Sequence, residues 1–524
     1  MNKNFAPIRS SVNWGGKTKR VSCLLILALL LSLTLPTLSN STAVSGSVSR
    51  VQPVLLGMAA QQPDQLVNVI VQKTVKDDRV EKAVNILGGE VTWDLHIINA
   101  FAAKLPAQAA AQLNKVDGVR WVSLDAAIVS TDCTSDCLTS DFYLKSVYEK
   151  AINANKVWFA IPKRQGTGVG VAVVDAGINW QQDLYTKSGQ NRVVANVRFN
   201  TDYNQTTFDN YGHGSHIAGI VGGNGSASNG KYIGVAPMAN IINVKVSNDD
   251  GSATTATVVA GLQWVLENRA RYNIRVVNLS LNSAVGESYH TDPLDAAVEI
   301  LWFNGIVVVV SAGNNGTGAL YSPANDPFVI TVGAVDDKGT TNLADDVVTT
   351  YSAYGTTQDG FSKPDLVAPG QNIVSLIGNT NGVIPTQHPG NRVDGTYFRM
   401  SGTSMSAPMV SGAVALLLED EPSLNPDQVK YRLEATANRT WPGYTAVQAG
   451  FGYLDVYAAL NSTTTQTANT GVPASQLLWT GSTPPPWDSV QWGSVQWGSV
   501  QWGSVQWGSV QWGSVQWGSD YWGP

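Results

Sequence analysis

Across residues 64–128 the apolar residues change spacing from two to about 3.6 and back, marking a small independent unit. Leu66–Val71 reads as a strand, Asp77–Leu87 as a helix, and Glu90–Leu105, after the Gly88-Gly89 break, as a strand. Pro106–Val116 reads as a second helix and Val119–Leu124 as a last strand. A β-α-β-α-β pattern in about 65 residues predicts a helix pair on one antiparallel sheet. From roughly residue 150 to 460 the pattern differs. Val169–Val174, Ile241–Val246, Val276–Leu281, Ile306–Val310 and Val329–Val332 are short runs rich in Val and Ile. Between the second and third, Thr255–Arg269 sets Val258, Val259, Leu262, Val265 and Leu266 on one helical face, and Asp292–Phe303 follows the third in the same way. Apolar strands alternating with amphipathic helices predict an α/β fold whose parallel sheet is covered on both faces. Ligands in such folds sit beyond the carboxyl ends of strands, so polar residues there are the candidates for chemistry.

The two ends of the chain follow neither pattern. Residues 1–43 carry five basic and no acidic residues, and the apolar run Val21–Leu35 is interrupted by Ser22, Ser32 and Thr34. That run is shorter than the about 20 residues a membrane span needs, and Ser41-Thr42-Ala43 supplies small residues for cleavage, so 1–43 reads as a signal peptide. The alternative is an uncleaved N-terminal anchor. After Leu460 the composition shifts. Residues 461–488 read as a Thr/Ser/Pro linker, and Ser-Val-Gln-Trp-Gly then repeats six times between Ser489 and Gly518. Nine of the 17 tryptophans lie in 479–524, which makes the tail (489–524) a low-complexity aromatic segment and not a solenoid.

Composition narrows the function. The 524 residues are 43% hydrophobic and 14% charged, with a formal net charge of −6 that becomes −11 once residues 1–43 are set aside. A chain this acidic lacks the basic footprint of a nucleic-acid binder. Of the three cysteines, Cys23 lies in the leader, leaving Cys133 and Cys137, too few for a zinc site or a disulfide framework.

Three polar residues stand at the expected places. Asp175 ends the first strand of the alternating region, His213 precedes an apolar helical run in Gly212-His213-Gly214-Ser215-His216, and Ser404 opens another in Gly402-Thr403-Ser404-Met405-Ser406. Singly, each has an ordinary structural reading as a cap or turn residue, and His216, Ser401 and Ser406 are rivals. Together they suit acyl transfer, where an imidazole accepts the serine proton and a buried carboxylate holds the imidazole tautomer. Asn314, directly after the fourth strand, could donate its amide to the oxyanion, or simply form a turn among glycines.

The order Asp, His, Ser in these surroundings resembles the subtilisin-like serine proteases. The matching strings are Val174-Asp175-Ala176-Gly177-Ile178, Gly212–Gly219, Ala312-Gly313-Asn314, Asp365–Gly370 and Gly402–Pro408. The likeness covers roughly 160–460 and implies a catalytic domain at 151–460 with Asp175, His213 and Ser404 as the triad and Asn314 in the oxyanion hole. It also implies that Ser280, Leu281, Asn282 and Gly313 bind extended protein or peptide substrates. The family usually has two glycines where Asn282 and Ser283 stand, which bears on the first specificity pocket. Residues 44–130 are similar to the family's inhibitor propeptide, an intramolecular inhibitor removed by self-cleavage between Asp125 and Ser140; 131–150 is then the processing region and linker. No cofactor is required. Structural calcium is common in the family, and Asp183 falls near one such ligand position, but Gly222–Tyr232 departs from the usual loop and no metal is assigned. The enzyme is expected to be secreted or held at the cell surface.

Two other classes compete. An α/β-hydrolase esterase needs Gly-x-Ser-x-Gly and the order Ser, Asp, His, neither of which occurs here. A binding protein would depend on the tail, whose indole rings could engage a cell surface or polymer by stacking.

Overall fold

The computed structural model describes residues 49–130, 146–202, 205–318 and 320–478. The signal-peptide segment, Cys133, Cys137 and the tryptophan repeat lie outside the described residues.

In the leading unit, β1 (Leu66–Lys73), β2 (Glu90–Leu95), β3 (Ala100–Pro106) and β4 (Val119–Leu124) form one antiparallel sheet in the order β2-β3-β1-β4. Period-two alternation gives the sheet two different faces. Val69, Val71, Phe101, Ala103, Leu105 and Val122 face a small core shared with Val80, Val84 and Leu113 from the covering helical segments. Those segments include α1 (Pro53–Gln61), which the sequence pattern did not reveal, α2 (Arg79–Ile86) and α3 (Ala107–Gln112). Ile70, Ala100 and Ala102 point the other way and join the main core of the molecule. The single strand expected over Glu90–Leu105 is instead a hairpin. A 3-10 turn at His96–Ile98 followed by Asn99 at φ 50° reverses the chain, a conformation asparagine tolerates better than most residues.

Beyond this sheet comes the short strand β5 (Ala127–Ser130), then α4 (Tyr148–Ala151) and α5 (Ala154–Trp158). The central sheet contains β6 (Gly170–Asp175), β7 (Val193–Arg198), β8 (Asn240–Lys245), β10 (Ile274–Leu279), β12 (Val307–Ser311), β13 (Ile330–Asp336) and β14 (Val347–Val348), in the order β14-β13-β12-β10-β6-β8-β7. Leu366–Pro369 pairs with β13 in parallel, and only the β13–β14 pairing is antiparallel. β6, β12 and the last four residues of β10 are buried throughout, as a sheet covered on both faces requires. The helices include α6 (Gly214–Gly222), α7 (Thr255–Asn268), α8 (Pro293–Phe303), α9 (Val383–Gln387) and α10 (Thr403–Asp420). α7 starts at a Thr254 capping box and α8 at the Asp292 carboxylate, which accepts from Leu294 N and Asp295 N. The architecture is the expected α/β one. A separate three-stranded sheet, β11 (Leu281–Ser283), β5 and β9 (Ala253–Thr254), joins the leading unit to the catalytic part.

One expectation fails. Residues 461–478, the first part of the expected 461–488 linker, lie against the α/β part of the molecule. Arg432 Nη2 donates to Thr464 O at 2.8 Å and Asn469 Nδ2 to Asp427 Oδ1 at 2.7 Å, while Leu477 and Leu478 are buried. The segment is held largely through its backbone groups, which bond whatever the side chains are, so its Thr/Ser/Asn composition carries no sign of docking. Among the described residues no helix is long and apolar enough to cross a membrane.

Candidate active site

Three of the candidate residues stand at the ends of elements of the central sheet and its helices. Asp175 is the last residue of β6, and its carboxylate accepts from Ala176 N at 2.7 Å. His213 immediately precedes α6, and its Nδ1 lies 2.8 and 2.9 Å from the two Asp175 carboxylate oxygens. Both side chains are buried. With Nδ1 turned toward a carboxylate, the proton belongs on Nδ1 and the Nε2 lone pair is the basic end. Close approach of α6 depends on Gly214, since a Cβ there would lie 2.2 Å from Gly177 O and 3.2 Å from Asp175 Oδ1.

Ser404 is the second residue of α10, which packs along α6. Gly402 precedes that helix at φ 149°, a backbone shape that side chains disfavour. Ser404 Oγ donates to Ser280 O at 3.3 Å, and Ser280 Oγ donates to Ser404 O at 3.0 Å, so the serine is fastened to the start of β11. Asn314 Oδ1 accepts from Thr403 N at 3.0 Å and Thr403 Oγ1 at 3.1 Å. Those bonds set the orientation of the carboxamide and make Nδ2 its donor end. Gly313 N donates to Thr403 Oγ1 at 3.1 Å, and Asn282 Nδ2 donates to Ser311 O at 3.1 Å.

The structure therefore brings together Asp175 and His213, links Ser404 with Ser280, and joins Asn314 and Gly313 to Thr403, the neighbour of Ser404. The rivals have other partners. His216 Nε2 lies 3.1 Å from Phe398 O, Ser401 Oγ accepts from Asn372 N, and Ser406 Oγ donates to Ala368 O and Pro369 O.

Two supporting residues escaped the sequence reading. Thr403 orients Asn314, and buried Asp209 accepts from Gly212 N at 2.6 Å and Ser215 N at 2.8 Å, shaping the turn that carries His213. Burial raises the Asp209 carboxyl above its usual range although these two bonds favour the charged form. Its place four residues before His213 was the available signal. Asp183, the residue considered for calcium, accepts from Ala227 N and Tyr397 Oη, and the neighbouring Arg192 donates to the carbonyls of Asp183, Gly222 and Ala239. Among the described residues no group of three or more His, Cys, Asp or Glu is placed to hold a metal ion.

β5 lies antiparallel to β11, with Leu281 opposite Ser130, Asn282 opposite Val129 and Ser283 opposite Ile128. On its other side Ala127 and Ile128 pair with β9. A strand of the chain itself thus lies along β11, which begins next to Ser280, the hydrogen-bond partner of Ser404.

The family model for the subtilase family (peptidase S8) matches residues 166–453, more than half of the chain. The chain belongs to the subtilase family. Serine protease AprX of Bacillus subtilis (strain 168) is 42% identical over 278 residues, covering 51% of this chain and 61% of AprX. Subtilisin E of the same strain is 29% identical over 450 residues, covering 84% of this chain and 99% of subtilisin E. Among solved structures, fervidolysin from Fervidobacterium pennivorans, a keratinolytic enzyme related to subtilisin, aligns with TM-score 0.61 and 26% identity over 79% of this chain and 63% of that one. The chain is thereby a subtilisin-like serine protease, and the matched residues include Asp175 at a strand end and His213 and Ser404 at the starts of helices.

Proposed function

We propose that the chain is a secreted serine endopeptidase made as a self-processed zymogen, with Asp175, His213 and Ser404 as its triad. The observations that carry this reading are the buried His213–Asp175 pair and Ser404 at the start of α10, a helix packed along α6, which His213 precedes. Ser404 Oγ attacks the scissile carbonyl while its proton passes to His213 Nε2, and Asp175 stabilises the imidazolium through Nδ1–H. Asn314 Nδ2 donates to the developing oxyanion, held in place by Thr403. His213 then gives its proton to the departing amine, leaving an ester on Ser404 that a water, deprotonated by His213, hydrolyses.

Substrate binds as an added strand on Ser280, Leu281 and Asn282, as β5 does within the chain itself. The Asn282 side chain reaches across to Ser311 O beside Gly313, where a pair of glycines would leave an open slot. Small residues before the cut therefore suit this enzyme better than aromatic ones. Residues 44–130 act as its inhibitor. Self-cleavage falls between Asp125 and Ser140, the stretch in which β5 pairs with β11. The tryptophan repeat adds binding to a cell surface or polymer, supported by its many indole faces. No metal enters the chemistry.

The test is casein hydrolysis in the presence of a serine-directed fluorophosphonate. Loss of hydrolysis with the label on Ser404 upholds the reading; labelling elsewhere, or hydrolysis that persists, rejects it. Cleavage of a peptide library by the matured enzyme reads the residue preferred before the cut.

A further inference from the structure

The segment after the last catalytic helix touches two parts of the molecule at once. On the catalytic side Ser475 N donates to the Glu299 carboxylate at 2.8 and 3.1 Å, Ser475 Oγ donates to His290 O at 3.0 Å, and Tyr289 Oη donates to Pro473 O at 3.0 Å. On the other side stands Arg120, in β4 of the leading unit. Its Nη1 donates to Gln476 O at 3.1 Å and to Leu477 O at 3.2 Å. Leu477 and Leu478 belong to the same apolar cluster against which Trp93 and Trp121 of the leading unit pack. Gln52 of the leading unit donates to Glu287, two residues from Tyr289, so one short catalytic loop is gripped from both directions.

We propose that residues 473–478 form a latch that keeps the leading unit on the catalytic part after its connection has been cut. The C-terminal segment would then set the delay before activity appears. This rests on the reading of 44–130 as an inhibitory propeptide, but the contact itself is remote from the triad in sequence and uses none of its residues. The physical basis is twofold attachment. β5 holds the leading unit in the substrate groove, and Arg120 holds it to the latch. When one contact opens, the other keeps the partners at high effective concentration, so both must open together for release. Arg120 strengthens the second contact because burial lowers its pKa only to about 10, leaving a charged donor at neutral pH on two neutral carbonyls. Departure of the leading unit removes Trp93 and Trp121 from the cluster containing Leu477 and Leu478.

Four full-length or end-shortened chains test this: wild type, Arg120→Met, a chain ending at Ser475 and a chain ending at Leu478. Each is allowed to mature in vitro. The cut is followed by gel, the lag by hydrolysis of a short peptide, and kcat/KM is measured after the lag. Arg120→Met and the chain ending at Ser475 are expected to cut as wild type does and to shorten the lag about tenfold, the effect of one charged hydrogen bond. Their final kcat/KM stays unchanged, because position 120 has left the matured enzyme and the Ser475 end keeps its bonds to Glu299 and His290. The chain ending at Leu478 keeps the wild-type lag. Combining Arg120→Met with the Ser475 end gives no further shortening, since both remove one contact. An unchanged lag in the Ser475-ended chain, or additive shortening in the combination, overturns the latch. If Arg120→Met prevents folding, no cut appears, and the Ser475-ended chain with its intact Arg120 decides. A wild-type chain that never cuts itself overturns the propeptide reading instead.

Discussion

The two large sheets of this molecule meet their surroundings in different ways. The central sheet is apolar on both faces, and its helices share one continuous core with it. The four-stranded sheet has a core of its own on one face and lends the other to the catalytic part. Around that shared face the contacts become polar and specific. His96 reaches Glu267, Asp125 accepts from Ala256 N, Gln52 reaches Glu287 and Arg120 reaches the C-terminal segment. A sheet buried on both faces cannot leave without unfolding its partner. One that owns a core can detach along a polar rim and stay folded, as an interface of modest size between independent units does. On the function proposed above, the contrast is between a permanent scaffold, which carries Asp175, His213, Asn314 and Ser404, and a removable cover.

The largest expected effect comes from breaking the scaffold's chemistry while leaving both sheets intact. Ser404→Ala should reduce kcat by about 10^6-fold, a size set by the triad of a subtilisin and not by this chain. The same variant should accumulate as an uncut chain retaining residues 64–128, read on a gel in a host without other proteases. Normal maturation would mean that another enzyme removes the cover.

The same contrast explains what the sequence could convey. Asp175, His213 and Ser404 sit in short strings whose glycines and apolar runs are local, so the residues and their elements could be read together. Asn314 was legible by its place after a strand. Thr403 and Asp209 were not singled out, because their roles lie in bonds to Asn314 and to two backbone amides, which no spacing displays. Residues 461–478 misled for a related reason. Their low apolar content suggested a free linker, while their carbonyls and amides are bound by Arg432, Gln428, Glu299 and Arg120. Asn99 shows the local counterpart, a single left-handed residue turning one expected strand into two.

A smaller loss is expected at Asn314. Replacing it with alanine removes one donor to the oxyanion and leaves the bound strand untouched, so kcat should fall by about 10^2–10^3 with little change in KM. That magnitude again derives from a subtilisin. A raised KM at constant kcat would make Asn314 a substrate contact rather than part of the scaffold's chemistry.

Docking of the cover should depend on pH. Burial opposes protonation of His96, but its bonds to Asp94 and Glu267 outweigh this and raise it to about 9. Only the Glu267 bond crosses to the other unit, since Asp94 stays with His96 on the cover, so the docked state holds the proton more firmly than the free cover, and that contribution to docking is lost as pH rises through about 9. Burial also raises Asp125, to about 6, against the bonds from Ala256 N and Thr254. The docked state thus favours protonated Asp125, and that contribution is lost as pH climbs from the usual carboxylate range through about 6. Both signs agree. After the cut, the lag should shorten about tenfold between pH 6.5 and 9.5, one unit of pKa shift being worth that factor. Glu267→Gln should flatten the alkaline part of the dependence while kcat/KM of the matured enzyme stays the same at each pH. An equal slope in the variant would remove His96 from the account.

The smallest effect on catalysis is expected from deleting Trp479–Pro524. Ser475, Leu477 and Leu478 are anchored to Glu299 and the main core, so a chain ending at Leu478 keeps every contact described above. Turnover of short peptides should be unchanged. Retention is different. The repeat carries no charge between Ser489 and Gly518, which makes ionic attachment to an envelope improbable on Coulomb grounds, but it offers a tryptophan in each of six copies. Indole faces stack on sugars and sit at interfaces, each weakly, and linked copies add by raising the local concentration of the next. Full-length and shortened protein should therefore differ in a pull-down on envelopes of the producing cell, with the shortened chain left in the supernatant. Equal retention would reject a binding role for the repeat. Lost activity or solubility in the chain ending at Leu478 would place the repeat with the scaffold, because a segment that only binds surfaces has no means of altering turnover at Ser404.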